Sequence, residues 1–514
     1  ALVAMKHIGV NVAADPLFTF SYTGVNGGLV LVSADDPGMH SSQNEQDNRN
    51  YAKFAKIPVL EPSDSQECKD FVVLAYRISE EFDTPVMVRT TTRVAHGQSL
   101  VSLGERREQE LGEYKKNAPK YVMLPGYARQ RHPLVEARRE ALVRYNEAAP
   151  VNRIEWGDKK IGVITSGVVY QYVKEALPEV SVLKLGMTFP LPEKLIKDFA
   201  AQVEQLYVIE ELEPFLEDQL KGMGLNVIGK ELFPRIGELS PELIAASMKI
   251  AARETAAAVE VEVPARPPVL CPGCPHRGVF YVINKLKLTV AGDIGCYTLG
   301  ATPPLTAMDT CICMGASISG ALGLEKARGP EFARKLVAVI GDSTFLHSGI
   351  TGLVDVVYNG GTFTTVILDN STTAMTGHQD HPGTGFTAKK EPAPAVNLEQ
   401  LVRSLGIQRV RVVDPYNLAE VEAALKEETA APEPSVIIAK RPCVLLKGQQ
   451  PTGGPVAVDE DKCTECGRCR RLGCPALVFM QAKPSVDLTL CNGCGQCVQV
   501  CRFNALQKVG EAHA

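Results

Sequence analysis

Two cysteine-rich stretches, CTECGRCRRLGC at residues 463–474 and CNGCGQCVQVC at residues 491–501, decide what the end of this chain folds around. Each reads C-x2-C-x2-C, with a fourth cysteine after four or three further residues. Such a run supplies three thiolates of a [4Fe–4S] cluster, and in two-cluster ferredoxins the fourth cysteine ligates the other cluster. The spacing therefore predicts one cluster on Cys463, Cys466, Cys469 and Cys501, and a second on Cys491, Cys494, Cys497 and Cys474.

Other uses of these eight cysteines fit the spacing less well. Disulfide frameworks are typical of short secreted chains, and zinc sites normally use C-x2-C pairs closed by two further ligands. The sequence departs from the commonest ferredoxin pattern in two places. Four residues instead of three separate Cys469 from Cys474, and Arg502 instead of proline follows Cys501. A looser loop before Cys474 is expected to absorb the extra residue.

Size and composition exclude several classes of function. The 514 residues are 45% hydrophobic and 22% charged, with a net charge of −5, which predicts three or four globular domains. No apolar run reaches the roughly 20 residues of a membrane span, and no basic block favours nucleic acid. Cysteines in ferredoxin spacing predict a reducing, cytoplasmic environment. The opening residues, Ala1 to Met5, read as a strand already under way, so an N-terminally incomplete first domain is expected.

Upstream of the cysteine runs, short apolar strands alternate with helical patterns. Strands are predicted at 28–32, 85–88, 161–164, 180–183, 206–209, 336–340, 364–368 and 435–439, and helices at 68–82, 193–203 and 347–358. Alternation of this kind is typical of doubly wound parallel sheets. The fold class is therefore α/β, with three doubly wound parallel-sheet domains at 1–150, 151–256 and 271–443 and a small C-terminal 2×[4Fe–4S] ferredoxin domain at 456–508. Segments 257–269 and 447–455 are predicted linkers.

A cation-binding pattern lies in the third α/β domain. One strand ends at Gly341-Asp342-Ser343, and the next ends at Asp369-Asn370. Parallel strands joined by a helix place both ends at one sheet edge, so Asp342 and Asn370 can converge on Mg²⁺, which prefers hard oxygen ligands and phosphate. Small residues there let a diphosphate approach the backbone. The alternative is that both side chains simply cap turns.

These stretches and their flanks resemble the α subunit of indolepyruvate:ferredoxin oxidoreductase, a thiamine diphosphate enzyme of the 2-oxoacid:ferredoxin oxidoreductase family. The resemblance spans essentially the whole chain and is clearest in DDPGMHSSQNEQDNR (35–49), CPGCPHR (271–277), GDSTFLHSGI (341–350) and LDNSTTAMTGHQ (368–379). It implies the thiamine diphosphate-binding fold, with 1–150 as the pyrimidine-binding type of domain. It further implies that 151–256 is transketolase C-terminal-like and that 271–443 binds the diphosphate and Mg²⁺.

The resemblance also implies roles for individual residues. Asp342, Asn370 and the Thr372 carbonyl would hold Mg²⁺, beside Gly341 and Ser343. Independently of the resemblance, His378 and Gln379 follow this turn in the sequence, so His378 is a candidate to face substrate or diphosphate. The glutamate that activates thiamine in the family lies upstream of the segment matching Ala1, so the catalytic residue of this chain stays unknown.

Further cysteines match positions of a cluster beside the thiamine in related oxidoreductases. They are Cys271, Cys274, Cys296 and Cys443, and the alternative to a third [4Fe–4S] cluster is four buried thiols that merely pack. Cys68, Cys311 and Cys313 are expected to be packing residues. Arg49 is expected to be a solvated surface arginine, with binding of a substrate carboxylate as the alternative.

The activity that the resemblance implies is oxidative decarboxylation of an arylpyruvate with coenzyme A, giving an aryl-acetyl-CoA, CO₂ and reduced ferredoxin. A small second (beta) subunit, an assembly of hetero-oligomeric dimers and a cofactor held between the pyrimidine and diphosphate domains are implied too. Neither nucleic acid nor a membrane is an expected partner. The alternatives are a ferredoxin oxidoreductase for another 2-oxoacid, an iron–sulfur electron-transfer subunit without thiamine, and a non-oxidative decarboxylase.

Overall fold

Apolar runs become buried strands in both halves of the chain. The computed structural model describes residues 1–106, 113, 115–250, 263, 266–448 and 453–509. They divide into two compact units, residues 1–261 (unit 1) and residues 262–514 (unit 2). The two predicted linkers lie partly outside the described residues. In the described part of the chain, no helix has both the length and the apolar character needed to cross a membrane.

Unit 1 is built from two sheets with helices between their strands. Its strands are β1 (Leu2–Lys6), β2 (Val30–Asp35), β3 (Val59–Leu60), β4 (Val86–Thr91), β5 (Arg153–Glu155), β6 (Asp158–Ser166), β7 (Val180–Leu185), β8 (Met187–Phe189) and β9 (Gln205–Ile209). Its helices are α1 (His7–Val12), α2 (Ala14–Thr23), α3 (Arg49–Ala55), α4 (Ser65–Glu81), α5 (Thr92–His96), α6 (Ala118–Tyr121), α7 (Pro125–Glu147), α8 (Val169–Ala176), α9 (Glu193–Ala200), α10 (Phe215–Gly222) and α11 (Pro241–Ser247).

The strand order shows that the two sheets of unit 1 are not formed by two consecutive segments of the chain. The first sheet has the order β1-β2-β4-β3-β8 and the second β5-β7-β6-β9. Each is parallel except for one antiparallel edge strand, β8 beside β3 and β5 beside β7. Since β8 comes from the predicted second domain and completes the first sheet, residue 150 does not separate the two sheets.

Unit 2 combines one large parallel sheet with the cysteine-rich tail. Its strands are β10 (Thr289–Gly292), β11 (Thr310–Cys311), β12 (Leu336–Gly341), β13 (Thr364–Asp369), β14 (Arg409–Val413), β15 (Ser435–Lys440), β16 (Val456–Val458), β17 (Leu477–Met480), β18 (Lys483–Val486) and β19 (Leu506–Lys508). Its helices are α12 (His276–Leu286), α13 (Ala316–Arg328), α14 (Pro330–Ala333), α15 (Asp342–Thr344), α16 (Ile350–Tyr358), α17 (Leu398–Ser404), α18 (Leu418–Ala430) and α19 (Gln496–Val500).

The six-stranded sheet of unit 2 is buried on both faces. Its order is β11-β10-β12-β13-β15-β14, and all its pairings are parallel. Along β12, Val337 and Val339 enter one hydrophobic core while Leu336 and Ile340 enter the core on the other face. This period of two explains why the strand reads as a continuous apolar run.

The tail packs on this sheet domain rather than forming a separate core. Val456, Leu472, Leu477 and Leu506 belong to the same hydrophobic cluster as the residues of one sheet face. Two antiparallel pairs, β16 with β19 and β17 with β18, frame the tail. The cysteines are thereby fixed relative to the carboxyl edge of the parallel sheet.

Candidate active site

Two polar side chains follow neighbouring strands at the carboxyl edge of the six-stranded sheet. Strand β12 ends at Gly341 and β13 at Asp369, and Gly341 is paired with Leu368 in the parallel ladder. Asp342 and Asn370 therefore leave the sheet at the same level, and both are buried in the lining of one cavity of about 100 Å³. The structure thus brings together the two side chains that the sequence predicted to share a cation.

Negative charge accumulates beside this cavity. The Ser371 N–H donates to Asp342 Oδ2 at 2.8 Å. Burial raises the pKa of Asp369, and the negative charge of Asp342 raises it further. Two neighbouring buried carboxylates repel each other, and a divalent cation relieves that repulsion. The available donors are carboxylate, amide and carbonyl oxygens, which is the ligand chemistry that Mg²⁺ prefers.

A neutral histidine orients Asn370. The Asn370 Nδ2 donates to His276 Nε2 at 3.4 Å. His276 is 4% exposed, and burial lowers its pKa to about 4, so its ring is uncharged near pH 7. Because the amide N–H is used by the histidine, the amide Oδ1 is left for a cation.

A second histidine faces the predicted metal ligand. His381 Nε2 lies 3.2 Å from Asp342 Oδ2, and the Gly383 N–H donates to His381 Nδ1 at 3.1 Å. The His381 Nε2 has no hydrogen-bond partner among the described residues, so the ring lies close to the Asp342 carboxylate without being hydrogen-bonded to it. His378, the histidine chosen from the sequence, does not line the cavity. His276 was visible only as part of the CPGCPHR motif, and nothing local pointed to His381.

The other predicted cofactor residues also line the cavity. They are Gly341, Ser343 and Thr372. A Cβ on Gly341 would lie 2.7 Å from Tyr297 Cε1. The buried tyrosine ring is therefore sufficient to explain why residue 341 is glycine, without the close approach of a ligand. The Ser343 hydroxyl accepts a hydrogen bond from Thr373 Oγ1 at 2.8 Å.

Four scattered cysteines meet next to this cavity. Cys296 lines it, and the Cys443 N–H donates to the Asn370 carbonyl at 2.9 Å. Burial raises the pKa of Cys274 to about 12, and the neighbouring Cys271 and Cys296 raise it further. Burial likewise raises the pKa of Cys296, followed by the charges of Cys443 and Cys271. Each of the four thiols named from the sequence therefore has at least two of the others as electrostatic neighbours, which simple packing at unrelated positions does not require.

The eight cysteines of the tail divide between two cavities. One cavity is lined by Cys463, Cys466, Cys469 and Cys501, and the other by Cys474, Cys491, Cys494 and Cys497. The fourth cysteine of each run thus sits with the opposite run, as the ferredoxin pattern requires. Each cavity is lined by three cysteines of one run and the fourth cysteine of the other, which fits the ligand number of one [4Fe–4S] cluster.

The extra residue before Cys474 is absorbed by a local turn. Residues Cys469–Leu472 form a 3₁₀ turn, and Gly473 ends it with a φ of 64°. At Gly473 a Cβ would lie 2.8 Å from Pro304 Cδ. A positive φ and this crowding both favour glycine, so the longer spacing still delivers Cys474 to its cavity.

Arg49 is buried, and the expectation of a solvated arginine was wrong. Its side chain is 1% exposed, pairs with Asp47, and approaches Glu210 to 2.9 Å. Arg89, also buried, pairs with Asp35 and Glu61. We call this set the buried charge network: Asp35, Asp47, Arg49, Glu61, Arg89 and Glu210. A fully paired arginine satisfies its hydrogen bonds internally, a property that the sequence around Arg49 did not reveal.

Two of the three cysteines expected to pack are on the surface. Cys311 and Cys313 are exposed, whereas Cys68 is partly buried against a hydrophobic core of unit 1. The Cys311 thiol donates weakly to the Asp293 carbonyl at 3.4 Å. The packing role is therefore wrong for Cys311 and Cys313.

Comparison with known proteins identifies two domain types and close full-length relatives. Residues 293–439 match the C-terminal TPP binding domain of thiamine pyrophosphate enzymes, and residues 484–507 match a 4Fe-4S binding domain. The chain is 42% identical to indolepyruvate oxidoreductase subunit IorA of Archaeoglobus fulgidus, over 99% of this chain and 85% of the relative. It is also 42% identical to the IorA subunit of Pyrococcus horikoshii (99% and 86%) and 40% identical to that of Methanothermobacter thermautotrophicus (99% and 86%).

Proposed function

The chain belongs to the indolepyruvate oxidoreductase subunit IorA family, and from this premise we propose that it is the catalytic subunit of a thiamine diphosphate-dependent indolepyruvate:ferredoxin oxidoreductase. The reaction converts indolepyruvate, coenzyme A and two oxidised ferredoxins into indoleacetyl-CoA, CO₂, two reduced ferredoxins and a proton. The observation that supports it best is the placement of a diphosphate-type cavity and twelve clustered cysteines in one compact unit.

Asp342, Asn370 and the Thr372 carbonyl are the proposed Mg²⁺ ligands. When bound, thiamine diphosphate supplies the electron sink for decarboxylation of a 2-oxoacid. The chain's own residues would hold its diphosphate end: Asp342 and Asn370 line one cavity at the sheet edge, and neutral His276 accepts from the amide without adding a competing positive charge. A cavity of about 100 Å³ is smaller than the roughly 300 Å³ at the low end of small-molecule sites, so it suits one end of the cofactor.

Three [4Fe–4S] clusters are proposed, two in the tail and one on Cys271, Cys274, Cys296 and Cys443. The mutual proximity of the last four thiols supports the third cluster. No three His, Cys, Asp or Glu side chains of the described residues surround a point closely enough for a single metal ion. A cluster differs because iron and sulfide fill the space between its thiolates.

We infer that the working enzyme is cytoplasmic and contains a small second subunit, with ferredoxin as electron acceptor. The first test is the iron and thiamine content of the anaerobically purified complex. About twelve irons per chain support three clusters and about eight leave only the tail pair, at four irons each. Comparing kcat/KM for indolepyruvate, phenylpyruvate and pyruvate tests the substrate, and preference for pyruvate would overturn the arylpyruvate assignment.

The Asp342→Asn variant tests the diphosphate site itself. It preserves shape but removes the charge that a divalent cation needs, so thiamine diphosphate and Mg²⁺ should bind at least tenfold more weakly while iron content stays the same. Asp355→Asn, on the exposed face of α16, is the matched control. Unchanged thiamine and Mg²⁺ binding in Asp342→Asn would mean that the cofactor is held elsewhere.

A further inference from the structure

Arg277 is a buried cation whose hydrogen bonds all go to main-chain carbonyls. It lies in the first turn of α12, directly after the CPGCPH motif, and is 2% exposed. Within the described parts of the chain, no carboxylate forms an ion pair with it, in contrast to Arg49 and Arg89. A buried guanidinium without a counter-charge is costly, so its position calls for a physical reason.

The planar guanidinium joins the backbones of two cysteine sites. Nη1 donates to the Leu472 carbonyl at 2.9 Å and to the Gly473 carbonyl, next to Cys474. Nη2 donates to the Leu270 carbonyl and, at 3.0 Å, to the Cys271 carbonyl. One side chain thereby ties the loop of the proposed third cluster to the loop that supplies the fourth ligand of a tail cluster.

The contact between these loops is tight enough to make the separation fixed. A Cβ on Gly273 would lie 1.9 Å from Asn492 Nδ2, so the CPGC loop is pressed against the CNGC loop of the tail. Arg277 and Gly273 both line the cavity that contains Cys474, Cys491, Cys494 and Cys497. The arginine therefore lies at the boundary between the two sites.

Its positive charge faces sulfur on both sides. Arg277 lines the cavity of Cys474, Cys491, Cys494 and Cys497 on one side, and on the other its Nη2 holds the carbonyl of Cys271. The Arg277 Nε–H has no acceptor among the described residues. Thiolates and sulfides are negatively charged acceptors, and hydrogen bonds to cluster sulfur and local charge both set cluster potentials. Loaded clusters would supply the counter-charge that protein carboxylates do not.

We propose that Arg277 is a positioning residue that holds the Cys271 loop and the Cys474 loop at a fixed separation and raises the reduction potential of the clusters on either side. The inference rests on the proposed function to the extent that these thiols hold clusters. It adds that one fixed charge, contributed by the sheet domain, serves two redox sites.

The test is a redox titration of the anaerobically purified complex, followed by EPR with dithionite as reductant. In Arg277→Met the positive charge is lost, so the equilibrium constant for reducing the tail cluster on Cys474 should fall at least tenfold. This corresponds to a reduction potential lower by about 59 mV for one electron. Arg277→Lys keeps the charge and should stay within threefold of wild type. Arg138→Met is the matched control because Arg138, in unit 1, is another buried arginine that donates to carbonyls, those of Ser21 and Asp83.

Two results would overturn the proposal. One is an Arg277→Met enzyme with full iron content and the same potentials as Arg138→Met; the other is an Arg277→Lys enzyme shifted as far as Arg277→Met. If Arg277→Met is purified without its iron, retention of iron in Arg277→Lys supports a role for charge, and equal loss in both contradicts it. Because dithionite supplies the electrons, the potentials can be measured even if indolepyruvate proves not to be the substrate.

Discussion

Replacing Glu211 by glutamine is expected to stabilise unit 1 at alkaline pH and to leave it unchanged at acid pH. Glu211 adjoins the buried charge network through its main-chain carbonyl, which accepts a hydrogen bond from Arg49 Nη2 at 3.2 Å. It is 5% exposed, and its carboxyl accepts a hydrogen bond from the Leu239 N–H at 3.1 Å. Burial raises its pKa from the ordinary 4.5 to about 7. Glutamine keeps the acceptor oxygen and removes the ionisation.

The size of the effect follows from proton linkage. Between pH 4.5 and 7 the folded protein keeps a proton on Glu211 that the unfolded chain releases. Protonation of Glu211 therefore contributes fully to the free energy of unfolding below pH 4.5, and this contribution is lost as the pH rises through 7. Each pKa unit corresponds to about 1.4 kcal/mol, so the shift from 4.5 to about 7 lowers the free energy of unfolding above pH 7 by about 3 kcal/mol. Asp35 and Glu210 also have pKa values raised by burial, so only the difference between wild type and variant isolates Glu211.

The single tryptophan supplies the assay. Trp156 lies in unit 1 and stacks on Phe199 at 5.4 Å between ring centroids, so its fluorescence follows unfolding of that unit in urea. With a urea slope of about 3 kcal/mol/M, Glu211→Gln should unfold at roughly 1 M more urea than wild type at pH 8.5, and at the same concentration at pH 4.5. The exposed Glu213 gives the control Glu213→Gln. Equal midpoints for wild type and Glu211→Gln at both pH values would refute the reasoning.

Three further variants test the sites independently. Cys501→Ser and Cys474→Ser should each abolish a different one of the two tail-cluster EPR signals, and loss of the same signal in both would contradict the crossed ligand sets. Arg49→Met leaves buried carboxylates unpaired and should destabilise unit 1 by about 3–5 kcal/mol, measured by the same fluorescence; a change below 1 kcal/mol would show that the network is not a buried ion-pair system. His381→Asn should weaken Mg²⁺ binding roughly 10- to 100-fold, as loss of a partner to a metal ligand does, and unchanged Mg²⁺ titration would remove His381 as a partner of Asp342.

Continuous apolar strands and local cysteine spacing were predictable because both are short-range properties. The run at 336–340 became β12, and the C-x2-C-x2-C turns delivered their cysteines to two cavities. Contacts between distant segments were not predictable in the same way. Strand β8 joins a sheet begun far upstream, and Arg49 is buried because Asp47 and Glu210 converge on it. A single sequence records which charges exist, but only the fold decides which ones meet.

The histidines illustrate the same limit within the site. His378 was chosen because it lies in the segment after the Asp369-Asn370 turn, yet His381 is the ring that lies 3.2 Å from Asp342. In the irregular segment after β13, a residue with a φ of 61° such as His378 redirects the chain, so proximity in sequence does not determine which side chain faces the cation site. His276 contacts Asn370 from the start of α12, which lies far upstream of Asn370 in the sequence.

Burial of the twelve clustered cysteines implies an order for the three sites. Cys296 shares its cavity with Asp342, which places the third group of thiols beside the proposed Mg²⁺ site. The Arg277 guanidinium bridges that group and the loop of Cys474. Of the twelve cysteines, only Cys466 is exposed, and it lines the cavity shared with Cys463, Cys469 and Cys501. A protein acceptor must approach from solvent, so electrons should leave through the site of Cys466. The run that comes first in the tail sequence therefore has the exposed cysteine, whereas the cavity of the second run is also lined by Pro272, Gly273 and Arg277 of the sheet domain.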